Sequence, residues 1–135
     1  CGKSYLACAL GHQACSIGIS TLCLSMNHFA DELTKALLEG TYQKLIKKLG
    51  KKDLLILDDF GLQTLTPETR LALLTLLEDR YEEKSVIITS QLPLDRWYEY
   101  IAEPTLADAI MDRLINSSEH IELKGETLRH NRRHR

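Results

Sequence analysis

The sequence has no uninterrupted run of 18 apolar residues, so no membrane-spanning helix and no membrane partner are expected. No excess of one charge sign is present either. Against 17 Lys and Arg stand 19 Asp and Glu, a formal net charge of -2, which implies no global attraction to nucleic acid or to a lipid surface. The four cysteines, at positions 1, 8, 15 and 23, lack the C-x2-4-C spacing of a zinc site. Cys8 and Cys15 fall near one face of a helix and are expected to be buried free thiols, which suits a reducing cytoplasmic setting. Internal repeats, low-complexity tracts and clear linkers are absent. No signal-peptide pattern is visible, but the chain opens at Cys1 in the middle of a motif and reads as a fragment, so that absence excludes nothing.

What is present is one domain's worth of alternating strand and helix signals over 135 residues. A helix is predicted over 4–16 and a strand over 20–26. Asn27 is predicted to cap a helix carrying Phe29, Leu33 and Leu37, which Gly40 stops. Thr41 opens a second helix with Tyr42, Leu45, Ile46 and Leu49 on one side and Gly50 as its end. Residues 53–58, "DLLILD", read as a strand buried on both faces. Thr66-Pro67 starts a helix whose predicted core stripe is Leu71, Leu74, Leu77 and Tyr81. "SVIITS" (85–90) is the next strand. Residues 93–100 form a short helix or turn. Pro104 opens a helix through residue 118 with Leu106, Ile110 and Leu114 in register. "HIELK" (120–124) is the last strand, and the basic tail 129–135 is expected to be loose. This alternation predicts an α/β fold, a parallel sheet with helices on both faces.

Two separated motifs carry chemistry. "CGKS" ends like a G-x-x-x-x-G-K-[ST] phosphate loop, although only Cys1 precedes Gly2. "LLILDDF" (54–60) is apolar until two carboxylates at the strand end, where ligands bind in open α/β sheets. Taken alone, those acids fit a solvated turn equally well. Paired with Gly2-Lys3-Ser4 before a helix, they point to a magnesium–triphosphate. Lys3 would contact the β- and γ-phosphates and Ser4 would ligate Mg2+. Asp58 would hold the metal, and Asp59 would polarise an attacking water as general base. The amides of Gly2, Lys3, Ser4 and Tyr5 open a helix whose dipole favours an anion. A nucleoside triphosphate and Mg2+ are therefore the expected ligands.

Five segments in order, "CGKSYLACALGHQA", "DLLILDDFGL", "LLEDRYEEKSVIITSQLP", "YEYIAEPTLADAIMDRL" and "IELKGETLR", resemble the IstB-like ATP-binding proteins. These are helper subunits of insertion-sequence transposases, related to DnaC-type helicase loaders within the AAA+ group. The resemblance covers nearly the whole chain. It implies a P-loop NTPase of AAA+ type, a three-layer sandwich with a mainly parallel sheet, with residues 1–128 as an incomplete ATPase core and 129–135 as a tail. It also implies that the first, central strand is missing, which leaves the order 120–124, a gap, 85–90, 53–58, 20–26. By position, Gln91 or Ser90 would sense the γ-phosphate or the attacking water. Arg113 matches the arginine that such ATPases supply in trans to a neighbour. Arg80 is a weaker candidate for that role, with Glu78 and Asp79 available to occupy it, and Arg113 has Asp112 and Asp108 nearby. Arg129 would be a second sensor.

Lys44, Lys47, Lys48 and Lys51 follow i, i+3, i+4, i+7 and form a basic stripe opposite Leu45, Ile46 and Leu49. Such a face tracks DNA phosphates or is simply solvated; the resemblance favours DNA, bound without sequence preference because no base-reading motif is evident. The leading expectation is an ATP-dependent helper of DNA transposition. In full length it would hydrolyse ATP, assemble with copies of itself on DNA, and contact a transposase subunit. A replicative helicase loader and a non-catalytic DNA- or partner-binding remnant are the alternatives. A nucleotide kinase would need a base pocket and an arginine-rich lid, and neither is present.

Overall fold

A computed structural model describes residues 3–116. The order is α1 (Lys3–Ser16), β1 (Thr21–Ser25), α2 (Met26–Glu39), α3 (Tyr42–Lys51), β2 (Leu54–Phe60), α4 (Pro67–Arg80), β3 (Ser85–Ser90), a 3-10 turn (Leu94–Arg96), α5 (Trp97–Ile101) and α6 (Pro104–Ile115). The expected strand 120–124, the tail 129–135, Arg129, Cys1 and Gly2 lie outside the described residues.

The three strands form a parallel sheet in the order β1-β2-β3, with Cys23 beside Ile56 and Ile56 beside Ile87. Parallel neighbours need long crossovers; α2 and α3 make the first, and α4 the second. Central β2 is buried from Leu54 through Leu57. Side chains alternate across a strand, so Leu54 and Ile56 meet Ala7 and Ala14 of α1 on one face. Leu55 and Leu57 join Phe29, Leu33, Ile46, Leu49, Leu73 and Leu76 on the other. Each of the large, fully buried side chains on that second face contributes about 1.5–3 kcal/mol. On the α1 face small residues do the packing. A Cβ built on Gly11 would lie 2.8 Å from Ile56 Cδ1, so glycine lets the helix sit close to the sheet.

The structure corrects several local expectations. Ser25, rather than Asn27, caps α2: its Oγ accepts the His28 N–H at 3.1 Å. The helix follows β1 directly, so the cap falls on the last strand residue. Gly40, at φ 74°, ends α2 as expected, but Gly50 lies inside α3, which runs on to Lys51. In α4 the buried stripe is Thr69, Ala72, Leu73, Leu76, Leu77 and Arg80. Leu71 is 53% exposed and Tyr81 lies past the helix end. Leucine-rich α4 offers more than one apolar stripe, and the phase with Ala72 against the core is the one adopted. Leu37 of α2 is likewise exposed, with Ala36 in its place. Cys8, Cys15 and Cys23 are exposed rather than buried. Ala7, Gly11 and Ala14 occupy the inner face of α1, which leaves Cys8 and Cys15 beside a groove toward β1. Among the described residues no helix is long and apolar enough to cross a membrane.

Candidate nucleotide site

The ladder between β2 and β3 breaks at the paired acids. Leu57 pairs with Ile88, but the next pair is Phe60 with Ser90, so Asp58 and Asp59 together face Thr89. This bulge returns Phe60 to the core that Leu57 faces, where it packs on Trp97 and Tyr100 with centroids 4.6 and 5.0 Å away. Both acids are thereby left at the C-terminal rim of the sheet, half-buried. Asp59 adopts φ 61°, a left-handed conformation that costs an ordinary side chain about 1 kcal/mol and that Asp tolerates better than most.

Two hydroxyl side chains converge on Asp58, and an ammonium lies at the end of the neighbouring strand. The first turn of α1 brings Ser4, whose Oγ lies 2.9 and 3.0 Å from the two carboxylate oxygens, although 54 residues separate them. Thr89 Oγ1 donates to Asp58 Oδ1 and also accepts the Asp59 N–H at 3.1 Å. Lys3 reaches over β3, its Nζ donating to the Ser90 carbonyl at 2.9 Å. A cavity of about 50 Å³, lined by Ser25, Asn27, Asp59, Thr66, Thr69 and Tyr100 among others, leaves room for water beside the second acid.

The remaining candidates are distributed as follows. The Ser90 hydroxyl is engaged with the Phe60 carbonyl and the Leu92 N–H. Gln91 follows it on an exposed bend, and its side chain makes no hydrogen bond to another described residue. Tyr5 is 81% exposed. Arg113 lies 2.9 Å from Asp112 and 3.7 Å from Glu78, with the Tyr81 ring centroid 5.4 Å from its guanidinium carbon. Glu78, an acid the sequence had set beside Arg80, is thus among its partners. Glu78 and Tyr81 mark the end of α4 beside the start of β3, the rim opposite the acids, so Arg113 does not enter the site of its own chain. Lys44, Lys47, Lys48 and Lys51 are all exposed on α3, opposite buried Ile46 and Leu49.

Arg80 does not serve as an exposed arginine held by Glu78 and Asp79. It is 1% exposed, and its guanidinium donates to the carbonyls of Leu49, Lys52 and Ser85 at 3.1, 2.5 and 2.7 Å. Burial pulls its pKa below the ordinary arginine value, and Asp53 opposes that shift. Thr89 is the site residue that sequence reasoning missed. Its signal was its place in the strand run facing the acids, a hydroxyl where "SVII" would otherwise continue as β-branched packing.

Among the described residues no cluster of three His, Cys, Asp or Glu side chains forms a self-sufficient metal site. A hydroxyl and one carboxylate, with an ammonium beside them, instead suit Mg2+ that brings phosphate oxygens with it, since Mg2+ is usually held by one or two carboxylates plus substrate phosphates. The residues present fit that group.

Comparison with known proteins gives the family. The sequence profile described as IstB-like ATP binding protein matches residues 1–135. The chain belongs to the IstB-like ATP-binding protein family. A Sinorhizobium fredii (strain NBRC 101917 / NGR234) protein named as an insertion sequence ATP-binding protein, y4pL, is 50% identical over 132 residues, 98% of this chain and 54% of that protein. The chain thus spans about half the length of this family relative. The replication initiator DnaA, in a structure bound to AMPPCP and single-stranded DNA, superposes with TM-score 0.69 at 25% identity, covering 82% of this chain and 34% of that one. A DnaC helicase loader superposes with TM-score 0.63 at 22% identity, covering 83% and 68%, which shows shared fold. The family member described here thus has an α/β fold like the AAA+ P-loop ATPase domains of DnaA and DnaC.

Proposed function

We propose that this chain is the ATPase core of a DNA transposition helper that binds Mg–ATP at the C-terminal rim of its sheet, assembles with copies of itself on DNA, and disassembles on hydrolysis. The observation that carries the reading is the contact between Ser4 and Asp58, made across 54 residues of sequence with Lys3 alongside. Without a ligand to share, that convergence of hydroxyl, carboxylate and ammonium at a strand end has no packing rationale.

In this reading Lys3 swings from the Ser90 carbonyl to the β- and γ-phosphates, and the opening amides of α1 (Gly2, Lys3, Ser4, Tyr5) face the same anion. Ser4 and Asp58 hold Mg2+, which when bound neutralises phosphate charge. Asp59 accepts a proton from water at its carboxylate. Gln91, rather than Ser90, reads the γ-phosphate, because the Ser90 hydroxyl is already engaged with backbone groups. Arg113 acts on a neighbouring copy, consistent with its place on the far rim of its own chain. Arg129 lies outside the described residues, and its role as a second sensor is part of the proposal. The lysine face of α3 tracks DNA phosphates without reading bases. The DnaA neighbour, bound to AMPPCP and single-stranded DNA, supports a core of this fold serving both ligands. The named insertion-sequence relative favours a transposase as protein partner.

The test uses the full-length gene product. Asp59→Asn is expected to lower Mg2+-dependent ATPase activity about 100-fold or more while ATP stays bound on DNA. Because Asn accepts a left-handed backbone readily, stability should hold. Unchanged ATPase activity in that variant would remove Asp59 as the base.

A further inference from the structure

We infer that Thr89 is a positioning residue for the two acids, holding Asp58 and Asp59 in the relative placement that metal and water require without touching the nucleotide itself. The inference rests on the reading of the preceding section and deepens it.

The bulge creates a problem that Thr89 solves. Two residues of β2 stand against one of β3, so the backbone ladder cannot supply a partner to the Asp59 N–H. The Thr89 hydroxyl accepts that N–H at 3.1 Å and donates its own O–H to Asp58 Oδ1. One oxygen therefore ties the backbone of the second acid to the carboxylate of the first. A hydroxyl is needed for this, since it both donates and accepts. Neighbouring Ser90 makes the contrast. Its hydroxyl joins Phe60 and Leu92 backbone groups and touches no acid, as a loop staple does. Thr89 alone places its hydroxyl on a carboxylate that also accepts from Ser4. It fixes which carboxylate oxygen stays turned toward β3, and it holds the left-handed turn at Asp59. Partners of this kind behind a metal-binding carboxylate are worth about 10-fold to 100-fold in metal affinity or activity.

Thr89→Val keeps the shape and removes the hydroxyl, and Thr89→Ser keeps the hydroxyl and removes a methyl. In the full-length protein three quantities are measured: the Mg2+ dependence of binding a fluorescent ATP analogue, kcat and KM for ATP, and hydrogen exchange at the Asp59 amide. Thr89→Val should raise the Mg2+ needed for half-maximal binding and lower kcat, each by about tenfold or more, with a smaller change in KM. Its Asp59 amide should exchange faster. Thr89→Ser should restore all three. Wild-type Mg2+ dependence in a folded Thr89→Val protein would overturn the inference, as would a Thr89→Ser protein as impaired as Thr89→Val. A wild-type protein that shows no Mg2+-dependent nucleotide binding overturns the functional reading itself, whereas wild-type binding left unchanged by Thr89→Val overturns the role of Thr89 alone.

Discussion

The two ends of the sheet treat charge in opposite ways. At the end where the strands begin, Arg80 is buried and its guanidinium is bound by three main-chain carbonyls, from Leu49, Lys52 and Ser85. Only its Nε lacks a partner. Those carbonyls belong to the end of α3, the link into β2 and the start of β3, so one side chain fastens three segments. At the end where the strands finish, Asp58 is half-buried and, among the described residues, accepts hydrogen bonds from the side-chain hydroxyls of Ser4 and Thr89, while Lys3 donates to the Ser90 carbonyl. A charge saturated by backbone is part of the scaffold. Charges that share movable side chains, facing water, can exchange those partners for a ligand. Residue type does not separate the two cases; the identity of the partners does.

The sharpest way to break this contrast concerns the arginines. Arg113→Ala should lower ATPase activity about 1,000-fold, the scale for an arginine supplied in trans to phosphoryl transfer. Mixing it with Asp59→Asn should restore part of the activity, because each inactive protein supplies what the other lacks. Mixtures as inactive as their components would place Arg113 outside the site. Arg80→Met should act on the fold instead. It strands three carbonyls, and at 1–3 kcal/mol for each unsatisfied group a loss of about 3 kcal/mol is expected in denaturant unfolding, with Mg2+-dependent nucleotide binding retained by the folded protein. An Arg80→Met protein with unchanged stability and no activity would reverse the assignment of the two arginines. A smaller effect sharpens the picture at α3. Lys47→Gln together with Lys48→Gln should weaken DNA binding for all sequences alike and reduce the slope of log affinity against log salt by about 2. An unaltered slope would return that face to ordinary solvated surface.

The resemblance supplied the order β1-β2-β3, and the alternation of strands and helices and the meeting of Ser4 with Asp58 were legible in the residues themselves. Each rests on a strong signal: a buried apolar run, a proline or glycine boundary, or a motif whose parts have one shared use. Side-chain phase was harder to read. Leu71 and Leu73 are equally apolar, and only the close fit of Ala72 to the core decides which row turns inward. The cysteines of α1 face outward because smaller neighbours claim the sheet, a competition that residue-by-residue hydrophobicity does not express. Ser25 and Asn27 are both good caps, and the strand's length chose between them. Arg80 and Thr89 escaped for a common reason. Each engages main-chain groups exposed by an irregularity, at the sheet's start for Arg80 and at the bulge for Thr89, and such groups become visible only once the backbone is placed.

Asp58 offers the most direct test of the central claim that one end of this sheet is built to share its partners with a ligand. Binding of a fluorescent ATP analogue to the full-length protein would be measured with and without Mg2+, for the wild type and for Asp58→Asn. The account predicts that Mg2+ strengthens wild-type binding about tenfold or more and leaves the variant's binding unchanged, with both proteins equally folded. The same Mg2+ enhancement in both would contradict it.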